Sequence, residues 1–398
     1  MKGVCMILYS KNIYLPQGRR EGYIKIENTK ISEIFDTYEG EFLDYSDYLI
    51  IPGLFDVHNH GTNGYSLMNR TSDVKEQLEG FQKACASYGI TSVLPTASPE
   101  LFSDIVEVIK EDKPNGAKIL GIHSEGPYLS RVGEQGVAEV SPKIEMNDVQ
   151  KMFDDCEGYL KLFAIAPELE GAQEVIDFMN KRGVRVAYAH SDLMYHDAKQ
   201  AIENGISVIT HTCNVMTGIH HRRMGGLGAA LLNPDVYNEI IGDGLHVSVE
   251  MMELIFKVKN NHSKWLLISD NTPLAGAPKG DYDIGKFKLT ISDDGFALTE
   301  TGRLLGSTKS VLYGMSVLHN QLKLDLETVI RFASTNVHEC FGSIENKGTI
   351  EVNKDADIAV ITKDFECVAT FVEGTKVYDR TNPVGFNHNF FKDTRFFK

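Results

Sequence analysis

The stretch DVHNHG, residues 56–61, closes an apolar run with two histidines one residue apart. Along an extended strand, residues i and i+2 project the same way, so His58 and His60 present two imidazoles to one point. That is the start of a divalent-metal site; the alternative is a pair of solvated histidines in a turn. Ligand-type residues also stand at the ends of other apolar runs. They are Glu125 in KILGIHSEGP, His190 in VRVAYAHS, His211 in SVITHTCN, Asp243 and His246 in EIIGDGLHV, and Asp270 in KWLLISDN. Histidines combined with carboxylates suit Zn2+, Fe2+ or a similar ion, one or two per chain. Glu125 has two oxygens and could bridge two ions, while Asp270 could move the proton of an activated water. His123, two residues before Glu125, is expected to pack behind the ligands. Lys161 begins its strand, which is the wrong end for a bridging ligand.

Scattered residues of this kind act together only if a fold gathers them. Eight apolar, β-branched runs can be read as strands: 49–58, 90–97, 118–127, 161–168, 184–191, 207–214, 239–247 and 264–271. Helix-patterned segments lie between or after them at 73–89, 167–183, 194–205, 249–261 and 309–322. Buried strands alternating with helices predict an α/β chain folded as a (β/α)8 TIM barrel, whose chemistry gathers at the C-terminal ends of the strands. A doubly wound sheet is the main rival, but it would place a glycine-rich phosphate loop where DVHNHG stands. The flanks have β-hairpin texture, as in EGYIKIENTKISEIF and GTIEVNKDADIAVI. They are expected to meet as one small β-sandwich domain. The predicted division is residues 1–50 (sandwich), 51–345 (barrel) and 346–398 (sandwich and tail). The aromatic, basic tail from 381 has no predicted place.

The 398 residues carry a formal charge of −15, which gives no general attraction to nucleic acid or anionic membranes. Any anion must therefore be held locally. The one dense cationic patch is HHRRMGG (220–226), containing His221 and Arg222, which suits an anion such as phosphate. The six cysteines are scattered without a Cys-x-x-Cys pair, which predicts reduced thiols and a cytoplasmic protein. No run approaches the length of a membrane helix.

Taken together, PGLFDVHNHG, HSEGPYLS, AIAPE, YAHSD, THTCNVMTGIHHRRMGGLGAALLNPD, IGDGLHV and LISDNTPLAG resemble the N-acetylglucosamine-6-phosphate deacetylases of the amidohydrolase superfamily, in order and over nearly the whole chain. The resemblance implies a metal-dependent deacetylase with a distorted barrel and a small β lobe, usually a homodimer, acting on a phosphorylated amino sugar. It implies one metal on Glu125, His190 and His211, and a second aided by His58 and His60. Asp270 would be the catalytic acid and base. Asn214, Val215 and Arg222, with neighbouring His221, would hold the phosphate. His246, in the DGLH stretch that begins at Asp243, would touch the sugar, and Leu304, Leu305 and Gly306 would line the pocket. The chain departs from the family at HSEGP, where His-Leu-Glu-Gly-Pro is usual, and at Ala138, near an expected acetyl-contacting histidine. Rival readings are a deacetylase for the galacto epimer, another amide hydrolase on the same scaffold, or a barrel that has lost its chemistry.

Overall fold

The structure, a computed structural model, describes residues 5–70, 73–131, 141–283, 288–300, 302, 304 and 306–392. Eight parallel strands form its centre. They are β1 (Leu54–Asn59), β2 (Ile90–Pro95), β3 (Ile122–Glu125), β4 (Leu160–Ile165), β5 (Arg185–Tyr188), β6 (Val208–Ile209), β7 (Tyr237–Ile241) and β8 (Trp265–Ile268). β1 pairs with β2, and β3 to β8 pair in sequence order. Thr96, just beyond β2, bridges to His123 of β3. The ring closes where Asp270 N donates to His58 O and His60 N donates to Asn271 O, both at 2.8 Å. These strands read as unbroken apolar runs because both of their faces are buried. On β4, Leu162 and Ala164 fill the barrel while Phe163 and Ile165 face the helices; on β8, Leu266 and Ile268 point in and Trp265 and Leu267 point out.

Each of the five predicted segments holds a helix. α1 (Val74–Ala86) is capped by the Asp73 carboxylate, which accepts from Glu76 N at 2.9 Å. Ala172–Asn180, Tyr195–Glu203, Val249–Val258 and Val311–Asn320 occupy the other four segments. Phe102–Glu111 and Met146–Asp155 are helices that the periodicity did not single out. No helix among the described residues is long and apolar enough to cross a membrane.

The expected first barrel strand, 49–58, is two strands. Leu49–Pro52 pairs antiparallel with Ile358–Ile361 in the flanking sheet, and β1 begins only after Gly53. A side chain at 53 is impossible, since a Cβ there would meet the Thr91 side chain within 2.3 Å. The predicted sixth strand, 207–214, also shrinks to two residues because the chain turns immediately into the site.

The N- and C-terminal flanks share one eight-stranded sheet, with Cys5–Leu15 next to Leu49–Pro52 and Cys367–Val372 beyond Ile358–Ile361. It folds over a core that holds Ile24, Ile26 and Ile31 from one flank and Ile358, Val360 and Phe371 from the other. Lys118, just ahead of β3, clamps this lobe to the barrel. It reaches Glu373 at 2.7 Å, and Glu373 also meets the buried Lys347, paired with Asp357 at 2.7 Å.

Two features lie outside the predicted plan. A three-stranded antiparallel sheet, Gly280–Asp283, Lys288–Ile291 and Ala297–Thr299, follows β8. The tail leaves the lobe and packs on it: Phe390 is buried with Leu289 and Ile291, and Phe391 stacks on Tyr282 with ring centroids 4.3 Å apart. Asn387 N donates to Asn63 O at 2.8 Å, so the tail braces the turn three residues beyond His60.

Candidate metal centre

The strand ends deliver their polar residues to one rim. Glu125 lies at its middle. Its Oε1 is 3.2 Å from both His190 Nε2 and His211 Nε2, and its Oε2 is 2.9 Å from His60 Nε2 and 3.4 Å from His58 Nε2. Two ligand triads therefore share one carboxylate: His58, His60 and Glu125, and Glu125, His190 and His211. Asp270 Oδ1 stands 3.4 Å from His58 Nε2 and 3.5 Å from His60 Nε2.

The ring nitrogens of each pair nearly touch. His190 and His211 Nε2 are 3.1 Å apart, and His58 and His60 Nε2 are 3.3 Å apart. His190 Nδ1 lies 2.7 Å from the Arg131 carbonyl, so Nδ1 carries the proton and Nε2 keeps its lone pair for the centre. His58 Nδ1 lies 3.0 Å from the Glu239 carboxylate, an acceptor on the side away from the centre.

Charge is concentrated here. Burial alone would lower the His58 imidazole, but the carboxylates of Asp270, Glu125 and Glu239 outweigh it and lift its pKa well above the usual value. Burial opposes a rise at His190 as well, and Glu125 overcomes it. Burial would raise Glu125, yet the surrounding histidines hold it well below the ordinary carboxylate range. His123 is pushed down, first by burial and then by its histidine neighbours. It packs edge-on against His58 at 4.7 Å and is in neither triad, as the sequence suggested. Lys161 is the second residue of β4, at the end away from the strand termini that carry the ligands.

Local backbone strain helps the side chains converge. His190 (φ 47°), His211 (φ 26°), Val215 (φ 48°) and Asp270 (φ 49°) occupy the left-handed region, which histidine and aspartate enter more readily than most residues and which is strained for the β-branched valine.

The chain matches the description "Amidohydrolase family" over residues 49–377. It belongs to the amidohydrolase family. An N-acetylglucosamine-6-phosphate deacetylase from Vibrio furnissii is 30% identical over 366 residues, covering 89% of this chain and 90% of that protein. One from Bacillus subtilis is 28% identical over 371 residues, covering 89% and 92%. The crystal structure of a Pasteurella multocida protein of that name matches with a TM-score of 0.82 at 28% identity, covering 93% of this chain and 99% of the other.

The donor set fits the metal that an amidohydrolase needs. Imidazole nitrogens and a carboxylate, with the His190 ring already turned lone pair inward, match the ligands preferred by borderline divalent ions. Nitrogens this close repel one another unless a proton or a cation lies between them.

The other predicted residues are placed as follows. Asn214 is buried beside His211, its side chain donating to His211 O at 3.2 Å. Asp243 accepts from the backbone of Leu245 and His246 and lies 2.6 Å from His246 Nδ1. Burial would raise the Asp243 pKa, but His246 holds it below the ordinary value. Leu304 bridges to Leu298, and Gly306 has φ 63° where a Cβ would meet Thr272 at 2.2 Å. His221 and Arg222 stand at the exposed tip of the hairpin Ile219–His220/Arg223–Met224, where Arg222 N donates to His220 Nδ1 at 3.3 Å. Ala138 and Leu305 fall outside the described residues. His338 is helical and wholly buried, its ring centroid 4.7 Å from that of Phe55.

Sequence reasoning missed the residues behind the ligands. Glu239 is one; its signal was a carboxylate inside the apolar run EIIGDG. Asp56 is another: it accepts from Ser269 Oγ at 2.6 Å and Asn59 Nδ2 at 2.9 Å, tying β1 to the chain just after β8.

Proposed function

We propose that the protein hydrolyses the N-acetyl group of N-acetylglucosamine-6-phosphate to glucosamine-6-phosphate and acetate. The observation that carries this reading is Glu125, shared between two histidine pairs with Asp270 beside them, in a chain whose relatives of that name match over most of its length. Glu125, His190 and His211 would hold one divalent ion, Zn2+ or Fe2+, and His58, His60 and Glu125 a second. Such an ion supplies electrophilic stabilisation at the acyl oxygen and makes water acidic enough to attack near neutral pH.

Asp270 does the proton work. Its carboxylate takes a proton from the water as the new C–O bond forms. It returns that proton to the sugar nitrogen as the C–N bond breaks, because an amine leaves poorly without one. His246, oriented by Asp243, contacts the sugar, and Leu304 and Gly306 wall the pocket. Asn214, Val215, His221 and Arg222 hold the phosphate, and binding so far from the amide fixes the orientation of the reacting carbonyl. We further propose a homodimer, as the family resemblance implies. Six unpaired cysteines favour the cytoplasm.

The test is acetate release from N-acetylglucosamine-6-phosphate, its galacto epimer and the unphosphorylated sugar, with metal measured on the same sample. The gluco phosphate is expected to turn over fastest, and a chelator to abolish turnover until a divalent ion is returned. A protein holding stoichiometric metal that releases no acetate from any of the three overturns the proposal.

A further inference from the structure

Glu239 is fully enclosed within the barrel, on β7. Its neighbours on the strand explain the placement: Ile241 also faces the barrel interior, while Ile240 points out to the helices. A carboxylate held away from water is costly unless it is compensated. Among the described residues its one ion-pair partner is His58, with Oε2 3.0 Å from Nδ1. The same oxygen accepts the backbone N–H of His211 at 3.1 Å, and Oε1 has no hydrogen-bond partner among the described residues. Glu239 thus touches a residue of each triad without belonging to either.

The tautomer of His58 is what this contact controls. On its other side, His58 Nε2 faces two carboxylates, Glu125 and Asp270, both at 3.4 Å. Those acceptors favour a proton on Nε2, and an imidazole protonated there cannot give a lone pair to a metal. Glu239 pulls the other way by accepting at Nδ1. His190 has no such dependence, because the Arg131 carbonyl settles its tautomer. We propose that Glu239 is a positioning residue that holds the His58 proton at Nδ1, and so sets the metal affinity of the half-site built on His58 and His60. The half-site on His190 and His211 depends on it far less.

The inference rests on the metal reading above but not on the identity of the substrate. Its test is Zn2+ binding by chelator competition, with the visible spectrum of the Co2+-loaded protein as a second readout. Glu239→Leu keeps roughly the volume and removes the acceptor at Nδ1. One binding constant should weaken about 10- to 100-fold, the usual cost of losing a partner behind a ligand. The other should shift less than about 3-fold, with the Co2+ bands of one site lost. In a His58→Ala background, Glu239→Leu should change neither constant further. Glu239→Met takes its place in the same cycle if the leucine variant does not fold. Unchanged constants, a parallel loss of both, or a further loss in the His58→Ala background would overturn the assignment, the last two marking a merely structural carboxylate. A wild-type chain that takes up no Zn2+ would overturn the metal centre, and this inference with it.

Discussion

Replacing Asp270 by Asn isolates the proposed proton carrier from everything else in the centre. The backbone there has φ 49°, a region asparagine tolerates at least as well as aspartate, so the turn after β8 should persist. The 2.8 Å bond from the residue 270 amide to His58 O does not involve the side chain. Metal should persist as well, because neither ligand triad requires Asp270. What disappears is an ionised acceptor beside the reacting carbon. General acid–base groups contribute about 10²–10⁴ in rate. The upper end applies here, because among the described residues no other carboxylate at the centre is free to take over. Both oxygens of Glu125 are occupied by four imidazoles, and Glu239 is sealed inside the barrel. The expected loss in kcat is therefore about 10⁴, or about 5.5 kcal/mol of barrier at about 1.4 kcal/mol per tenfold. Acetate release should be measured beside metal content and a thermal melt. A variant with normal metal and a kcat within about tenfold of wild type would refute the role given to Asp270.

Three further outcomes are expected. Arg222→Ala should leave the fold alone, since the residue is exposed, and should lower kcat/KM for the phosphorylated sugar by about 10- to 150-fold, the worth of a charge-assisted hydrogen bond; an equal loss with the unphosphorylated sugar would argue against a phosphate contact. His338 should make the protein acid-sensitive. Burial, with Lys347 and Lys354 nearby, pulls its pKa from 6.5 to about 3, so below 6.5 the unfolded chain binds one more proton than the folded one. Stability should then fall by about 1.4 kcal/mol per pH unit as pH drops from 6.5 towards 3, and urea melts of His338→Gln should show a slope shallower by that amount. Removing residues 384–398 exposes the surface covered by Phe390 and frees Asn63 from Asn387, so the melting midpoint should drop and the second metal, beside the His60 turn, should bind more weakly; an unaltered melt and metal titration would show that the tail braces nothing.

The site was legible in the sequence to the extent that side-chain type and strand order define it. Barrel strands buried on both faces leave continuous apolar runs, so a histidine or carboxylate closing such a run stands out, as Glu125, His190, His211 and Asp270 do. The break at Gly53 was harder to see because hydropathy continues straight through IIPGLF, while the close approach that calls for glycine there is made by Thr91, 38 positions away. The sheet at 280–299 is short, with polar residues among its apolar ones, and reads as loop. The tail could not be placed because its aromatic side chains pack on that unrecognised sheet.

Convergence itself was the part that left no local mark. A left-handed backbone normally announces itself by glycine or asparagine. At 190, 211, 215 and 270 it is adopted by two histidines, a valine and an aspartate, none of which signals it in a sequence as glycine does, and the valine adopts it against its own preference. Local propensity would have steered these residues elsewhere; the closed ring of strands holds them, and its energy comes from apolar packing spread along the whole chain. The partners that fix the ring tautomers are hidden in the same way. One is a backbone carbonyl, Arg131, which has no sequence signature, and the other is Glu239, a single acidic residue within an apolar run. The ligands are thus written as residue types, whereas the direction in which each ring offers its lone pair is a property of the assembled barrel, and that direction decides whether four histidines and a glutamate hold metal or merely share protons.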